Sequence, residues 1–309
     1  MNMYGLDVGG TKIELGIFTD ECAPLHAWRV PTPLHSYQKV LDTIGRMVEQ
    51  ADEKSQGKGS VGIGLPAFID AQGLAVSSNI PCINAQPLVR DLHNILGRPV
   101  SFESDVKAFV LSESRGGAAT KAKSVLGIVL GTGLSGAQCI EGQLHHGRQK
   151  IAGEYGHIPL PALLQQRYDF PLRECGCGNL SCIEKYLSGP GLLWMCQHFR
   201  GNYSSVPAFV ESFLRNDEKA KEIFAAYIDC LGCYFAQLTL MFDPDLIVLG
   251  GGLSNIEALY QQLPGAIEQY LFEGATSPAI VPPAFGDTSG VRGAALMGRQ
   301  RSPTPLEQD

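Results

Sequence analysis

The sequence predicts an α/β chain built on two related sheets. Apolar strands alternate with helical stretches along most of the chain, which is the pattern of that class. A strand, a glycine and threonine turn and a second strand open the chain, and the same succession returns about 120 residues later, as a duplicated architecture would give. With 309 residues the chain is long enough for two domains of ordinary size.

The elements follow in order. "YGLDV" is an apolar strand, "GGTK" a glycine turn and "IELGIF" the return strand of a hairpin. Residues 36–52 carry Tyr37, Val40, Leu41, Ile44, Met47 and Val48 at helical spacing, with Ser36 placed to cap the first turn. Residues 59–66, "GSVGIGLP", form a buried strand ended by proline, and 99–104, "PVSFES", form another. A helix over 105–115 starts where that strand stops. "SVLGIVLGTGLSGAQCIEGQ" repeats the hairpin, and 217–242 read as one long apolar helix. "PDLIVLGGGLSN", residues 244–255, is strand, glycine turn and helix start. Helices over 255–272 and over "GVRGAALMGRQ" complete the chain, with a frayed tail "RSPTPLEQD". The Gly, Ala and Ser content of 115–124 predicts a hinge there.

Composition narrows the function classes. A net charge of −7 argues against binding to a nucleic-acid backbone, whose affinity comes mainly from cationic neutralisation. No uninterrupted apolar run reaches the ~18 residues expected of a spanning helix, and the N-terminus carries neither a basic region nor an apolar signal core. A cytoplasmic protein with no membrane partner is the expectation. Its nine cysteines should then be reduced, which leaves metal binding or catalysis for clustered thiols rather than a disulfide framework. Cys230 and Cys233 lie within the apolar helix, where two buried thiols on one face are the simpler reading of their spacing.

Three glycine turns, "DVGGTK", "LGTGLSG" and "LGGGLSN", each follow an apolar strand. Such turns let backbone N–H groups approach an anion, and Thr11, Thr132 and Lys12 add donors and charge. Each alone could be a simple hairpin or left-handed turn. Together they suggest a nucleotide whose phosphates are held from two domains. Phosphoryl transfer also needs a base on the acceptor hydroxyl. Asp105, at a strand-to-helix junction where the helix start favours negative charge, is the candidate; the alternative is a plain helix cap.

"ECGCGNLSCIEKY" brings Cys175, Cys177 and Cys182 together, and "GEYGH" upstream offers His157. One imidazole and three thiolates make a closed tetrahedral zinc site with no open position, hence a structural one. Glu154 and Glu184 flank these ligands and become well-held acceptors for sugar hydroxyls. The alternative is four unconnected residues.

These residues carry a resemblance. "LDVGGTK", "GEYGH", "CGCGNLSC" followed by Glu184, and "DPDLIVLGGGLSN" resemble the ROK family (repressor, open reading frame, kinase) over about residues 4–298. "VPTPLHSY", "KGSVGIGLP", "DFPLRECGCG" and "YLSG" look most like the family's N-acetyl-D-glucosamine kinases, while "NAQPL" and "LFEGATSP" look about as close to its fructokinases. The resemblance implies an actin-like (ribonuclease H-like) two-lobed fold: a small lobe over 1–117, joined by a returning helix over 290–300, and a large lobe over 118–289 carrying the zinc. It implies ATP-dependent phosphorylation of a hexose or amino sugar at its 6-hydroxyl, N-acetyl-D-glucosamine first, with fructose or glucose as alternatives. It also implies ATP and Mg²⁺ as cofactors beside structural Zn²⁺, and a homodimer, since dimers are common in the family. By the same resemblance Asp105 takes the proton and Asp7 sits by Mg²⁺. Gly9, Gly10, Thr11 and Lys12 meet the terminal phosphates, Thr132 and Gly133 form a second phosphate loop, and Gly250, Gly251 and Gly252 lie along the adenosine. Ser104, Glu154, His157 and Glu184 bind the sugar, His157 also ligating zinc through its other nitrogen.

Several positions depart from the family pattern. Where "NDAN" is usual this chain has "SDVK", placing Ser104 and Lys107 around Asp105. Ala67 follows Pro66 where glycine is usual, Ser135 and Ala137 stand in the second phosphate loop, and Phe285 replaces a histidine. A weakly catalytic sugar-binding protein is one rival reading. A sugar-responsive regulator is the other, disfavoured by the acidic charge and by a first strand that begins at about residue 4.

Overall fold

The computed structural model describes residues 1–77 and 79–299. The tail "RSPTPLEQD" lies outside the described residues. The chain divides into two compact units: Met1–Thr120, Gly142–Ala152 and Ala284–Asp309 form the first, Lys121–Glu141 and Gly153–Pro283 the second.

The first unit is built on the strands β1 (Met3–Val8), β2 (Lys12–Phe18), β3 (Pro24–Pro31), β4 (Ser60–Gly64) and β7 (Val100–Glu103), in the order β3-β2-β1-β4-β7. β1 and β2 form the predicted antiparallel hairpin, with Asp7 opposite Glu14, and β4 and β7 add parallel strands. β3 escapes the sequence reading because it is an edge strand with most positions exposed, so only Trp28 and Val30 carry its alternation. A small hairpin, β5 (Phe68–Ile69) and β6 (Ala75–Val76), follows β4. Helix α1 (Tyr37–Ser55) covers the sheet with the predicted apolar face, and the Ser36 hydroxyl accepts from Lys39 N–H as the expected cap. Helix α2 (Leu88–Leu96) also escapes the sequence reading, although Leu88, Leu92 and Leu96 at helical spacing ahead of Gly97 carry its signal.

Helix α3 (Asp105–Ser114) begins just after β7. The helix over Ser289–Arg299, α10, lies directly on β1 and β4: a Cβ at Gly5 or Gly62 would overlap the backbone carbonyls of Val291 or Ala294. Glycine in two central strands is thus the condition for this close helix–sheet approach. Glu113 is fully buried on α3 and collects the N–H groups of Ala118, Ala284 and Phe285 and the hydroxyl of Ser289, which joins segments more than 170 residues apart.

The second unit repeats the plan. β8 (Ser124–Leu130) and β9 (Leu134–Ile140) form an antiparallel hairpin, β11 (Leu246–Gly250) pairs with β8 in parallel, and β12 (Ala279–Val281) pairs with β11 in parallel. The recurrence in the sequence is therefore a recurrence of topology. Helices α4 (Ala162–Tyr168), α5 (Glu184–Leu187), α6 (Gly189–His198), α7 (Val206–Leu214), α8 (Glu218–Phe242) and α9 (Glu257–Glu268) complete it. α6 and α7 are absent from the sequence reading, but each has a serine cap, Ser188 or Ser205, and a proline in its first turn.

Two expectations change. By length and composition α8 could cross a membrane, contrary to the reading that no run could; 78% of its apolar window is buried within the unit, so it serves as the core helix, with Cys230 and Cys233 inside as expected. The block 118–289 is also not continuous: Gly142–Ala152, which includes the short strand β10 (Gln143–Leu144), and the described residues from Ala284 onward belong with the first unit. The cause is long-range polar pairing. Arg115 Nη2 donates to Gly142 O at 2.7 Å, Lys107 Nζ to Lys150 O at 2.8 Å, and Ala284 N–H to Glu113 at 2.8 Å.

Candidate functional site

In the first unit the β1–β2 turn is closed by Gly9 N–H donating to Lys12 O at 2.9 Å and braced by Thr32, whose hydroxyl donates to Gly9 O at 2.7 Å. Gly10 lies against the backbone of Asn79, where a Cβ would come within 3.0 Å of the carbonyl oxygen. Thr11 is exposed at the tip. The Lys12 ammonium is half-exposed, 3.4 Å from Glu14, which also takes Arg29 at 2.7 Å. Neither Glu14 nor Thr32 is identifiable from sequence, since both act through strand pairing.

Asp7 lies one residue before the end of β1 and Asp105 opens α3. The alternative that Asp105 is merely the cap is removed: Ser104 is the N-cap, accepting from Lys107 N–H, while Asp105 Oδ1 accepts from its neighbour Val106 N–H at 2.9 Å. Burial, then the negative charges of Asp105 and Glu14, push the Asp7 carboxyl up to about 6. A carboxyl crowded by two other acids is a place a divalent cation would relieve, so these residues fit Mg²⁺ by donor chemistry.

The raised value has a measurable sign. Below about pH 4 the Asp7 carboxyl is neutral in the folded and unfolded chains alike. Between pH 4 and 6 the unfolded chain releases this proton and the folded chain keeps it, so the contribution to stability falls as pH rises through the window. A shift from 3.8 to about 6 corresponds to about 3 kcal/mol. Asp7→Asn should therefore gain up to that amount relative to the parent between pH 4 and 7, in unfolding titrations without divalent cations. Parallel pH curves for the two proteins would contradict this account.

The loop after β4, the region expected to set substrate choice, is held by its own polar contacts. Ser77 Oγ donates to Pro66 O at 2.8 Å, and Asn84 accepts from Ser77 N–H at 2.6 Å while donating to Ser77 O at 2.9 Å.

In the second unit the two remaining glycine turns meet. Gly131, beside Thr132 and Gly133, accepts from Gly189 N–H at the start of α6 at 2.8 Å. Gly251 has φ +80° and no room for a Cβ against Leu130 O, which brings the Gly250, Gly251 and Gly252 turn alongside. Gly133 lies close to Glu184, its added Cβ coming 3.2 Å from Oε2.

His157, Cys175, Cys177 and Cys182 do come together, with one donor atom from each within 4.8 Å of the others. Cys177 and Cys182 sulfurs are 3.5 Å apart, and Cys175 Sγ is 3.6 Å from His157 Nδ1. Donors around a tetrahedral zinc, at about 2.3 Å for sulfur and about 2.0 Å for nitrogen, lie roughly 3.5–3.8 Å from one another. The geometry fits. The acid–base chemistry fits as well: the Asn179 N–H draws the Cys177 thiol down to about 7, whereas burial pushes Cys182 up to about 12 and Cys175 also upward. Three thiolates side by side are stable only around a cation.

The two carboxylates lie at opposite nitrogens of the imidazole, Glu184 on the sulfur side and Glu154 on the outer side. Glu184 Oε1 lies 3.8 Å from His157 Nδ1 and 3.2 Å from Cys175 Sγ, and Glu154 Oε2 lies 3.8 Å from Nε2. The sulfur side of the ring is thus Nδ1 and the outward side Nε2, with Glu154 half-exposed there.

Residues 3–301 match the ROK family. The chain belongs to the ROK family. An N-acetylgalactosamine kinase of Shewanella sp. (strain ANA-3) is 43% identical over 295 residues, 96% of each chain. The N-acetyl-D-glucosamine kinase of Salmonella typhimurium is 40% identical over 297 residues, 95% of this chain and 98% of its own. Among solved structures, a ROK hexokinase from Thermus thermophilus superposes with a TM-score of 0.84 at 31% identity, covering 96% of this chain and 97% of that one. A ROK family glucokinase from Streptomyces griseus, solved with glucose and AMPPNP, gives 0.76 at 28% identity, covering 97% and 100%. The fold is the actin-like sugar-kinase fold of this ROK chain.

Proposed function

We propose that this ROK protein transfers the terminal phosphoryl group of ATP to the 6-hydroxyl of N-acetyl-D-glucosamine. The observation that carries the reading is near-full-length similarity, at 39–41% identity, to N-acetyl-D-glucosamine kinases from several bacteria.

The residues support the chemistry in named roles. Asp105 accepts the proton of the attacking hydroxyl, and Ser104 starts α3 so that this carboxylate stands in its first turn. The N–H groups of Gly9, Gly10 and Thr11, with the Lys12 ammonium, receive the terminal phosphates. Thr132 and Gly133 form a second phosphate loop, and Gly250, Gly251 and Gly252 leave a flat backbone for the adenosine. Glu154 and Glu184 accept sugar hydroxyls, and His157 offers Nε2 to the sugar while Nδ1 faces the thiols. Mg²⁺, held on the Asp7 side, would supply charge neutralisation to the phosphates. Zn²⁺, held by His157, Cys175, Cys177 and Cys182, would supply cross-linking of the loop.

N-acetyl-D-galactosamine is the second reading, favoured by the 43% identical relative. The two sugars differ only at the 4-hydroxyl, so the same apparatus serves either. The test is a coupled ADP-release assay with these two sugars, N-acetylmannosamine, glucose, fructose and mannose. We expect kcat/KM for an N-acetylhexosamine to exceed that for every unacetylated hexose by about tenfold or more. A preference for glucose or fructose would overturn the assignment.

A further inference from the structure

Lys107 stands two residues after the proposed base, where the family pattern has asparagine, and the mechanism above gives it nothing to do. It is only 3% exposed. A buried ammonium is retained at a large desolvation penalty unless it is paired and hydrogen-bonded. Its Nζ lies 3.2 Å from Glu103 Oε2 and donates to Lys150 O at 2.8 Å. Glu103 Oε1 in turn lies 2.8 Å from His146 Nδ1. Burial opposes ionisation of Glu103, but the close His146 imidazole and the Lys107 charge hold its carboxyl below the usual range.

These contacts share one consequence. Glu103 ends β7 and Lys107 lies in the first turn of α3, so the junction that carries Asp105 grips Gly142–Ala152 at His146 and at Lys150. The other end of the helix grips the same segment again, through Arg115 on Gly142 O. The segment closes on itself, with Ala152 N–H donating to His146 O at 3.4 Å, and the chain then runs to Glu154 within two residues.

We propose that Lys107, acting through Glu103 and the Lys150 carbonyl, is a positioning residue for the sugar: it fixes the end of the segment from which Glu154 follows. A methionine of similar volume would satisfy a purely space-filling role. The ammonium adds one directional contact to that stretch of backbone, at Lys150 O, and a second to the Glu103 carboxylate, which itself lies against His146. The proposal rests on the reading that Glu154 binds sugar.

The experiment compares Lys107→Met, Glu103→Gln, the double variant and Glu154→Gln in the full-length protein. For Lys107→Met we expect the sugar KM to rise about tenfold while the ATP KM changes less than about twofold. Zinc content should stay at that of the parent, and amide exchange at 151 and 152 should quicken by about tenfold or more. The double variant should match Lys107→Met, because the pair acts as a unit. The clamp is refuted if Lys107→Met folds and leaves the sugar KM unchanged while Glu154→Gln raises it; the sugar site then stands without it. It is equally refuted if apparent kcat falls with melting temperature while both KM values stay at those of the parent, which is a stability effect alone. If Glu154→Gln leaves the sugar KM unchanged, the sugar-site reading fails and the clamp falls with it.

Discussion

Asp105→Asn is expected to fold normally and bind sugar with near-parental affinity while kcat falls by roughly two to four orders of magnitude, the range of a lost general base. The substitution keeps the side-chain shape and the oxygen that accepts Val106 N–H, and the helix retains Ser104 as its cap. What it removes is the site for the hydroxyl proton. It also removes one of the charges that push the Asp7 carboxyl up, so Asp7 should titrate at a lower pH in this variant. Sugar titration by intrinsic fluorescence together with the coupled assay separates binding from turnover. Near-normal turnover would show that the proton goes elsewhere.

The second large effect is expected from the metal centre. Elemental analysis should find about one zinc per chain, and prolonged chelation or Cys182→Ser should abolish it. Loss of a closed site that ties His157 to a turn 18 residues away should lower the melting temperature by on the order of 10 °C, equivalent to a few kcal/mol in a chain of this size. Activity should fall further than stability at temperatures where the chain is still folded. Glu184 lies against Cys175 and Glu154 against His157, so both carboxylates lose their reference when the ligands separate. Acid should assist removal, because Cys175 and Cys182, whose thiols burial pushes upward, must give up protons to bind. A metal-free protein with the same melting temperature and activity would refute both the metal and its scaffolding role.

Much of this is legible in the chain because the signals are local. The serine cap at 36, the apolar faces of α1 and α8, and the hairpins of β1–β2 and β8–β9 each depend on residues within a turn or two of one another. The metal ligands are legible for a different reason. Four thiol and imidazole groups in 26 residues have few other uses in a reduced chain. Exposed edges and short helices escape where the apolar stripe is thin, as in β3 and α4.

The sequence by itself determined the alternation of strands and helices, the three glycine turns, the family resemblance and the identity of the residues proposed for phosphate, sugar and zinc. Only the tertiary structure decided that Gly142–Ala152 belongs with α3, that Glu113 gathers donors from Ala118 and from 284–289, and that Lys107 has a partner in Glu103. Propensity and periodicity act over a few residues. A buried charge, by contrast, is satisfied by whichever polar groups the topology delivers to it, and those groups can lie anywhere along the chain.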